Sequence, residues 1–196
     1  MITRNIPYHA IVEAVRELAI RAAYELPDDV KLALQDAAAK ESNPRARQIL
    51  DQLIENYQIA EKDRIPLCQD TGLAIVFVEL GNQIAVTPPH DRTDATLITA
   101  INEGITQGYQ DGFLRKSVVA EPLNHRKNTT TNTPAVIHLS LVSGDRIHIT
   151  LIATCWVFVK IGNVVLSPTL ARTKRSTLSN DFSFVSIPVE ISFQLL

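Results

Sequence analysis

A chain of 196 residues, 45% apolar and 20% charged, is long enough for one substantial core and too short for two independent domains. Its 19 basic and 21 acidic side chains nearly cancel, to a formal charge of -2, which leaves no basic footprint for nucleic acid or an anionic bilayer and points to a small molecule or another protein as partner. Two cysteines, Cys68 and Cys155, cannot build a disulfide framework, and no apolar run approaches the roughly 18 to 20 residues of a bilayer span, so a reducing cytoplasm is the expected setting.

Ile11, Val12, Val15, Leu18, Ala19 and Ala22 recur at helical spacing between Glu13, Arg16, Glu17 and Arg21, which predicts a helix burying one stripe and stopping near Leu26-Pro27. A second helix is expected from Asp28 to about Lys40. Asn43-Pro44 then offers an N-cap followed by proline at the first helical position, opening a third helix with Ile49, Leu50, Leu53, Ile54 and Tyr57 on its apolar positions. Pro66 closes the helical block. "LAIVFVEL", short, β-branched and bounded by Gly72 and Gly81, reads as a buried strand. After "TPPHD", Thr93 or Asp94 is the expected cap of a fourth helix carrying Leu97, Ile98, Ile101, Ile105 and Tyr109, with Gly108 and Gly112 at its exit. A polar, hydroxyl-rich loop leads into two alternating runs, Val136 to Val142 and Ile147 to Leu151, and the turn Ser143-Gly144-Asp145 between them predicts a β-hairpin. The expected fold is α+β, an N-terminal helical layer on a small mixed or antiparallel sheet built from residues near 73–79, 135–142 and 146–152.

Cys68 stands at the mouth of that first strand in "RIPLCQDTGLAIVF". A lone cysteine before a strand is usually a small buried hydrophobe. Here Gln69, Asp70 and Thr71 follow it, and burying such groups without partners costs a few kcal/mol each, about the loss of a hydrogen bond or more. They need something to engage. A thiolate serves as nucleophile or metal ligand, and the flanking Asp70 opposes the ionisation that both roles require. As partners for a nucleophile His90, His125, His138 and His148 are available, none at a spacing that specifies pairing, and His138 and His148 are expected on solvent faces of the hairpin. Arg115 and Lys116 in "GFLRKSVV" fit either a solvated surface or a site for an acidic substrate, since the planar fork of arginine matches a carboxylate. "NHRKNTTTNTPAV" is dense in asparagine and threonine, as turn chemistry or as a pocket-lining network.

Taken together, "IPLCQDTGLAIVFVELG", "AINEGITQGYQDGFLRKSVVAEPLNHRKNTTTNTPAVIH" and "VSGDRIHIT" resemble the α-type region of oxygen-sensitive iron-sulfur hydro-lyases, the class I fumarate hydratases and L-tartrate dehydratases, over residues 5–152. The resemblance implies a [4Fe-4S] cluster on three cysteines whose open iron acts as a Lewis acid on the hydroxyl of a dicarboxylic 2-hydroxy acid. It makes Cys68 the first cluster ligand, Gln69 and Asp70 substrate contacts beside it, and Arg115 the partner of a substrate carboxylate. The proton-abstracting base is expected from a β-type region, fused or on a separate subunit, which makes this chain an α subunit of a homo- or hetero-oligomer.

Beyond Ile152 the similarity stops. No Gly-Gly-Gly loop follows, Cys155 sits where no family cysteine is expected, and residues 153–196 carry only six charged side chains and end in "FSFVSIPVEISFQLL". Two regions are therefore expected: 1–152, the N-terminal part of the α-type region, and 153–196, a divergent tail, frame-shifted or disordered. An inactive or incomplete hydro-lyase subunit is the leading expectation. A non-catalytic subunit-interaction module and, third, a cysteine-nucleophile enzyme are the alternatives.

Overall fold

The computed structural model describes residues 4–68, 72–92, 94–154, 160–161 and 164–165. The element order is β1 (Arg4–Pro7), α1 (Tyr8–Tyr24), α2 (Asp28–Lys40), α3 (Pro44–Asp63), β2 (Leu73–Gly81), β3 (Ile84–Thr87), α4 (Leu97–Asp111), β4 (Val136–Val142) and β5 (Ile147–Thr154), followed by a two-residue pair, β6 (Lys160–Ile161) with β7 (Val164–Val165). The α+β expectation holds: α1 and α4 form a helical layer over a mixed three-stranded sheet of order β4-β2-β5. The expected two-part division of the chain places its tail largely outside the described residues.

The apolar stripe of α1 is the reason it is a helix here: Ile11, Val15, Leu18 and Ala19 are all 1% exposed or less. Each large side chain buried this fully contributes about 1.5–3 kcal/mol. Across from it α4 presents Ala100, Ile101, Ile105 and Tyr109, and the two helices approach closely because α4 carries glycine at the contact. A Cβ at position 104 would lie 2.6 Å from the Val12 carbonyl oxygen, and one at 108 would lie 2.8 Å from the Ala19 Cβ. Beneath both helices lie Val76 and Val78 of β2 and Ile147, Ile149 and Leu151 of β5.

The hairpin expected at residues 136–151 is not formed. β4 and β5 run antiparallel to one another but β2 lies between them, parallel to β4 from Ile75↔Val136 to Gly81↔Val142 and antiparallel to β5 from Leu73↔Thr154 to Leu80↔Ile147. The end of β2 enters the turn itself: Gly81 N–H donates to the Arg146 carbonyl, Asn82 N–H to Val142 and Gln83 N–H to Gly144, at 2.8–2.9 Å. Gly81 is required there, because a Cβ would collide with the Gly144 carbonyl. Strand periods and relative direction are as expected; only adjacency differs.

Two further corrections concern chain ends of elements. The cap of α4 is Thr96, not Asp94: its Oγ1 accepts from Thr99 N–H while Thr99 Oγ1 accepts from Thr96 N–H at 2.7 Å, a reciprocal pair; Thr93 lies outside the described residues. The N-terminal residues Arg4–Pro7 also make a strand, paired in parallel with β3. Asn43 caps α3 as expected, with Oδ1 accepting from the N–H groups of Arg45 and Ala46. Among the described residues the apolar face of α3 is only partly covered, however: α2 and α3 bury only Ala38, Tyr57 and Ala60, while Leu32, Ile49 and Leu53 are 64%, 52% and 48% exposed.

Candidate functional site

The segment before Cys68 is clamped on two sides. α3 ends with Arg64 in the left-handed region, φ 54°, which turns the chain back toward α1. Leu67 N–H then donates to the Ala23 carbonyl at 2.8 Å, and the Leu67 carbonyl accepts from Asn56 Nδ2 at 2.9 Å. Cys68 follows directly and is exposed. Gln69 and Asp70 lie outside the described residues. The chain re-enters at Gly72, whose φ of 55° favours glycine, and passes into β2.

The same Gly72 carbonyl is one end of a buried bridge. Asn132, fully buried, donates from Nδ2 to Gly72 O at 3.1 Å, and its Oδ1 accepts from the N–H groups of Ser117 and Val118 at 2.6 and 3.1 Å. Asn132 thus joins the loop that carries Arg115 to the residue that closes Cys-Gln-Asp-Thr-Gly. Its φ of 58° is a conformation that asparagine tolerates better than most residues. Sequence reasoning assigned no role to Asn132; the signal was the asparagine density of the loop, which composition alone left open between turns and a network.

Around this bridge the polar loop is internally bonded. Asn128 Nδ2 donates to the Lys116 carbonyl at 2.8 Å, Thr129 N–H to Val118 and Ala120 N–H to Lys127. The Glu121 carboxylate accepts backbone N–H bonds from His125, Asn124 and Leu123, which hold its carboxyl below the usual glutamate range. Arg115, in the irregular stretch between α4 and Ser117, is exposed. The hydroxyls Ser117 Oγ and Thr129 Oγ1 are buried with no hydrogen-bond partner among the described residues. Such groups cost about 1–3 kcal/mol each until something engages them.

A second polar cluster fastens the loop before α4. Arg92 Nη1 donates to Glu103 Oε2 at 2.6 Å, Tyr8 OH donates to the same oxygen at 2.8 Å, and the Arg92 guanidinium lies 5.0 Å over the Tyr8 ring. Burial pulls the Glu103 carboxyl upward, but the bonds from Arg92 and Tyr8 outweigh it and hold it below its ordinary value. Burial and the bond to Glu103 push the Tyr8 phenol up. This cluster too was missed from sequence.

His138 and His148 lie on the face of the sheet away from the helices. His138 stacks on Phe77 with ring centroids 4.9 Å apart, and His148 Nδ1 is 3.7 Å from Glu79 Oε2. Among the described residues no group of three or more His, Cys, Asp or Glu side chains is placed to hold a metal ion, and Cys155 lies outside them. The whole sequence has two cysteines, whereas the resemblance implies three cluster ligands. The residues of this chain on their own therefore do not make a complete [4Fe-4S] site.

A family model described as fumarate hydratase (fumerase) matches residues 12–156. An L(+)-tartrate dehydratase subunit alpha from Methanocaldococcus jannaschii is 39% identical over 129 residues, covering 64% of this chain and 43% of that relative. The anaerobic class I fumarate hydratase of Escherichia coli K12 is 32% identical over 117 residues, 59% of this chain and 20% of the relative. The aerobic class I enzyme of the same strain is 34% identical over 114 residues, 57% of this chain and 19% of the relative. The chain spans less than half the length of these curated relatives.

Proposed function

Because the chain belongs to the fumarate hydratase (fumerase) family, we propose that it is the α-type part of a cytoplasmic hydro-lyase acting on a dicarboxylic 2-hydroxy acid, malate or L-tartrate. In this reading Cys68 supplies one ligand to an iron-sulfur cluster that the chain does not complete alone. Arg115 pairs with a substrate carboxylate, and Gln69 and Asp70 touch substrate beside the cysteine. A β-type subunit supplies the base. The observation that carries the reading is the Asn132 bridge, which ties the Arg115 loop to the end of the cysteine motif. Among the described residues no helix is long and apolar enough to cross a membrane.

Anaerobic reconstitution with ferrous iron and sulfide tests it. This chain alone is expected to show little stable cluster absorbance. A chimera in which residues after Ile152 are replaced by the matching stretch of the tartrate dehydratase relative, mixed with a β-type subunit, is expected to turn over malate or tartrate. Cys68→Ala should remove both cluster and turnover; undiminished activity in that variant overturns the assignment. The exposed apolar face of α2 and α3 favours a second reading, a non-catalytic module that binds a β-type subunit. Co-purification with that subunit, unchanged by Cys68→Ala and with no cluster in the chimera, would select it.

A further inference from the structure

The end of α1 touches both limbs of the candidate site. The Ala23 carbonyl accepts from the N–H of Leu67, the residue before Cys68. The Tyr24 ring lies 5.0 Å beneath the Arg64 guanidinium, and Arg64 Nη1 donates to Glu25 Oε1 at 3.0 Å. Arg21, one turn back on α1, holds the other oxygen of that carboxylate, Nε to Oε2 at 3.0 Å. Arg64 is the left-handed residue that turns the chain from α3 toward Cys68, so these contacts fix where that limb starts.

The hydroxyl of Tyr24 goes the other way. It donates to the Gly112 carbonyl at 2.6 Å, a buried bond. Gly112 caps α4, and its carbonyl is one of those that a helix end leaves without an intrahelical partner. Two residues on, Leu114 is buried and its N–H donates to the Tyr109 carbonyl at 3.0 Å. Arg115 therefore stands one residue beyond an anchored position, as Cys68 stands one residue beyond Leu67. A side chain that served only to fill the core would need no phenolic oxygen, since phenylalanine covers nearly the same area. Asn132 ties the same two limbs farther along, from Gly72 to Ser117 and Val118. Limbs joined at one point can hinge about it; joined at both ends, they keep a set separation.

We infer that Tyr24 is a positioning residue: by holding Gly112 against the Arg64 turn it sets the span from Arg115 to Cys68, and with it the length of diacid that the pair accepts. The inference rests on the reading of Arg115 as carboxylate partner and Cys68 as cluster ligand. The alternative, a hydroxyl that only caps α4, is separated by experiment.

Nitroxides on Cys68 and on Arg115→Cys, in the full chain with Cys155→Ser to remove the remaining thiol, report the span through their dipolar coupling. One narrow distance distribution is expected. Tyr24→Phe, which keeps the ring under Arg64, should at least double its width. Arg64→Gln loosens the same tie from the other limb and should do likewise, which decides the matter if circular dichroism shows the first variant unfolded. An unchanged width in a folded variant overturns the inference. The chimera with a β-type subunit reads the consequence. There Tyr24→Phe is expected to raise KM for the four-carbon hydroxy diacid about tenfold and to shrink its kcat/KM advantage over 2-hydroxyglutarate, one carbon longer. In an Arg115→Ala background the same substitution should change neither quantity. An equal effect in that background would mean that the hydroxyl acts on stability alone, and would likewise overturn the inference. A chimera without any turnover counts against the proposed function, while the spin-label distances still decide the role of Tyr24.

Discussion

Asn132 does more than fill space, because each of its side-chain polar atoms is used by a different piece of backbone. Truncating it strands two N–H groups and a carbonyl and leaves alanine in the left-handed region. At about 1–3 kcal/mol for each stranded group, partly offset by relaxation, Asn132→Ala is expected to cost about 3 kcal/mol in urea denaturation. Asn132→Asp keeps the acceptor and tolerates the backbone, so it should lose distinctly less; equal losses would mean that the Oδ1 bonds carry nothing. Glu103 yields a pH dependence. Its folded pKa lies below its unfolded value, so its contribution is fully present above the ordinary carboxylate pKa of about 4.3 and is lost as pH falls through the lower folded value. Glu103→Gln is expected to flatten the acid limb of stability against pH, measured by denaturation at several pH values, while wild type and variant keep a constant gap at neutral pH. Little of this was legible beforehand. Cys68, Arg115 and the asparagine-rich loop stood out as residue types, but Asn132 and Glu103 act through atoms supplied by distant segments, and sequence spacing does not encode such meetings.

Helices and strands were legible where a local rule decides them. Asn43-Pro44 opened α3 as expected because cap and first-turn geometry are properties of neighbouring residues. Periodicity likewise identified the helical face of α1 and the alternation in β4 and β5. It failed on adjacency: the turn at Ser143 signalled a hairpin, yet β2 inserted itself because its end bonds to the turn carbonyls. It also failed on burial, since of the apolar positions of α3 Tyr57 is buried while Ile49 and Leu53 remain exposed. At the α1–α4 contact, propensity and packing oppose each other. Alanine is the better helix former by about 1 kcal/mol, but a Cβ at 104 would meet the Val12 carbonyl and the Val15 side chain at 2.6 and 2.7 Å. Gly104→Ala is therefore expected to destabilise by about 1–3 kcal/mol, read as a lowered denaturation midpoint; a stabilised variant would mean the helices are farther apart.

Stability should be unevenly spread over the molecule. The layer of α1 and α4 on β2 and β5 holds nearly all the fully buried side chains, whereas α2 and α3 touch the rest through few of them. Native-state hydrogen exchange is expected to show amides of α2 and α3 opening at a fraction of the global free energy and those of β2 only on global unfolding. Uniform protection would refute that division. The weak arm and the strong layer meet at Leu67, immediately before Cys68, so the cysteine sits where a partner that steadies α2 and α3 would also steady it.

The insertion of β2 between β4 and β5 has a consequence for biosynthesis. β2 leaves the ribosome well before either flanking strand, and its two hydrogen-bonding edges are not both closed until the nascent polypeptide extends past Thr154. A message broken after Val142 would yield a product whose central ribbon is closed on one side only, the form of the chain most exposed to chaperone capture and proteolysis.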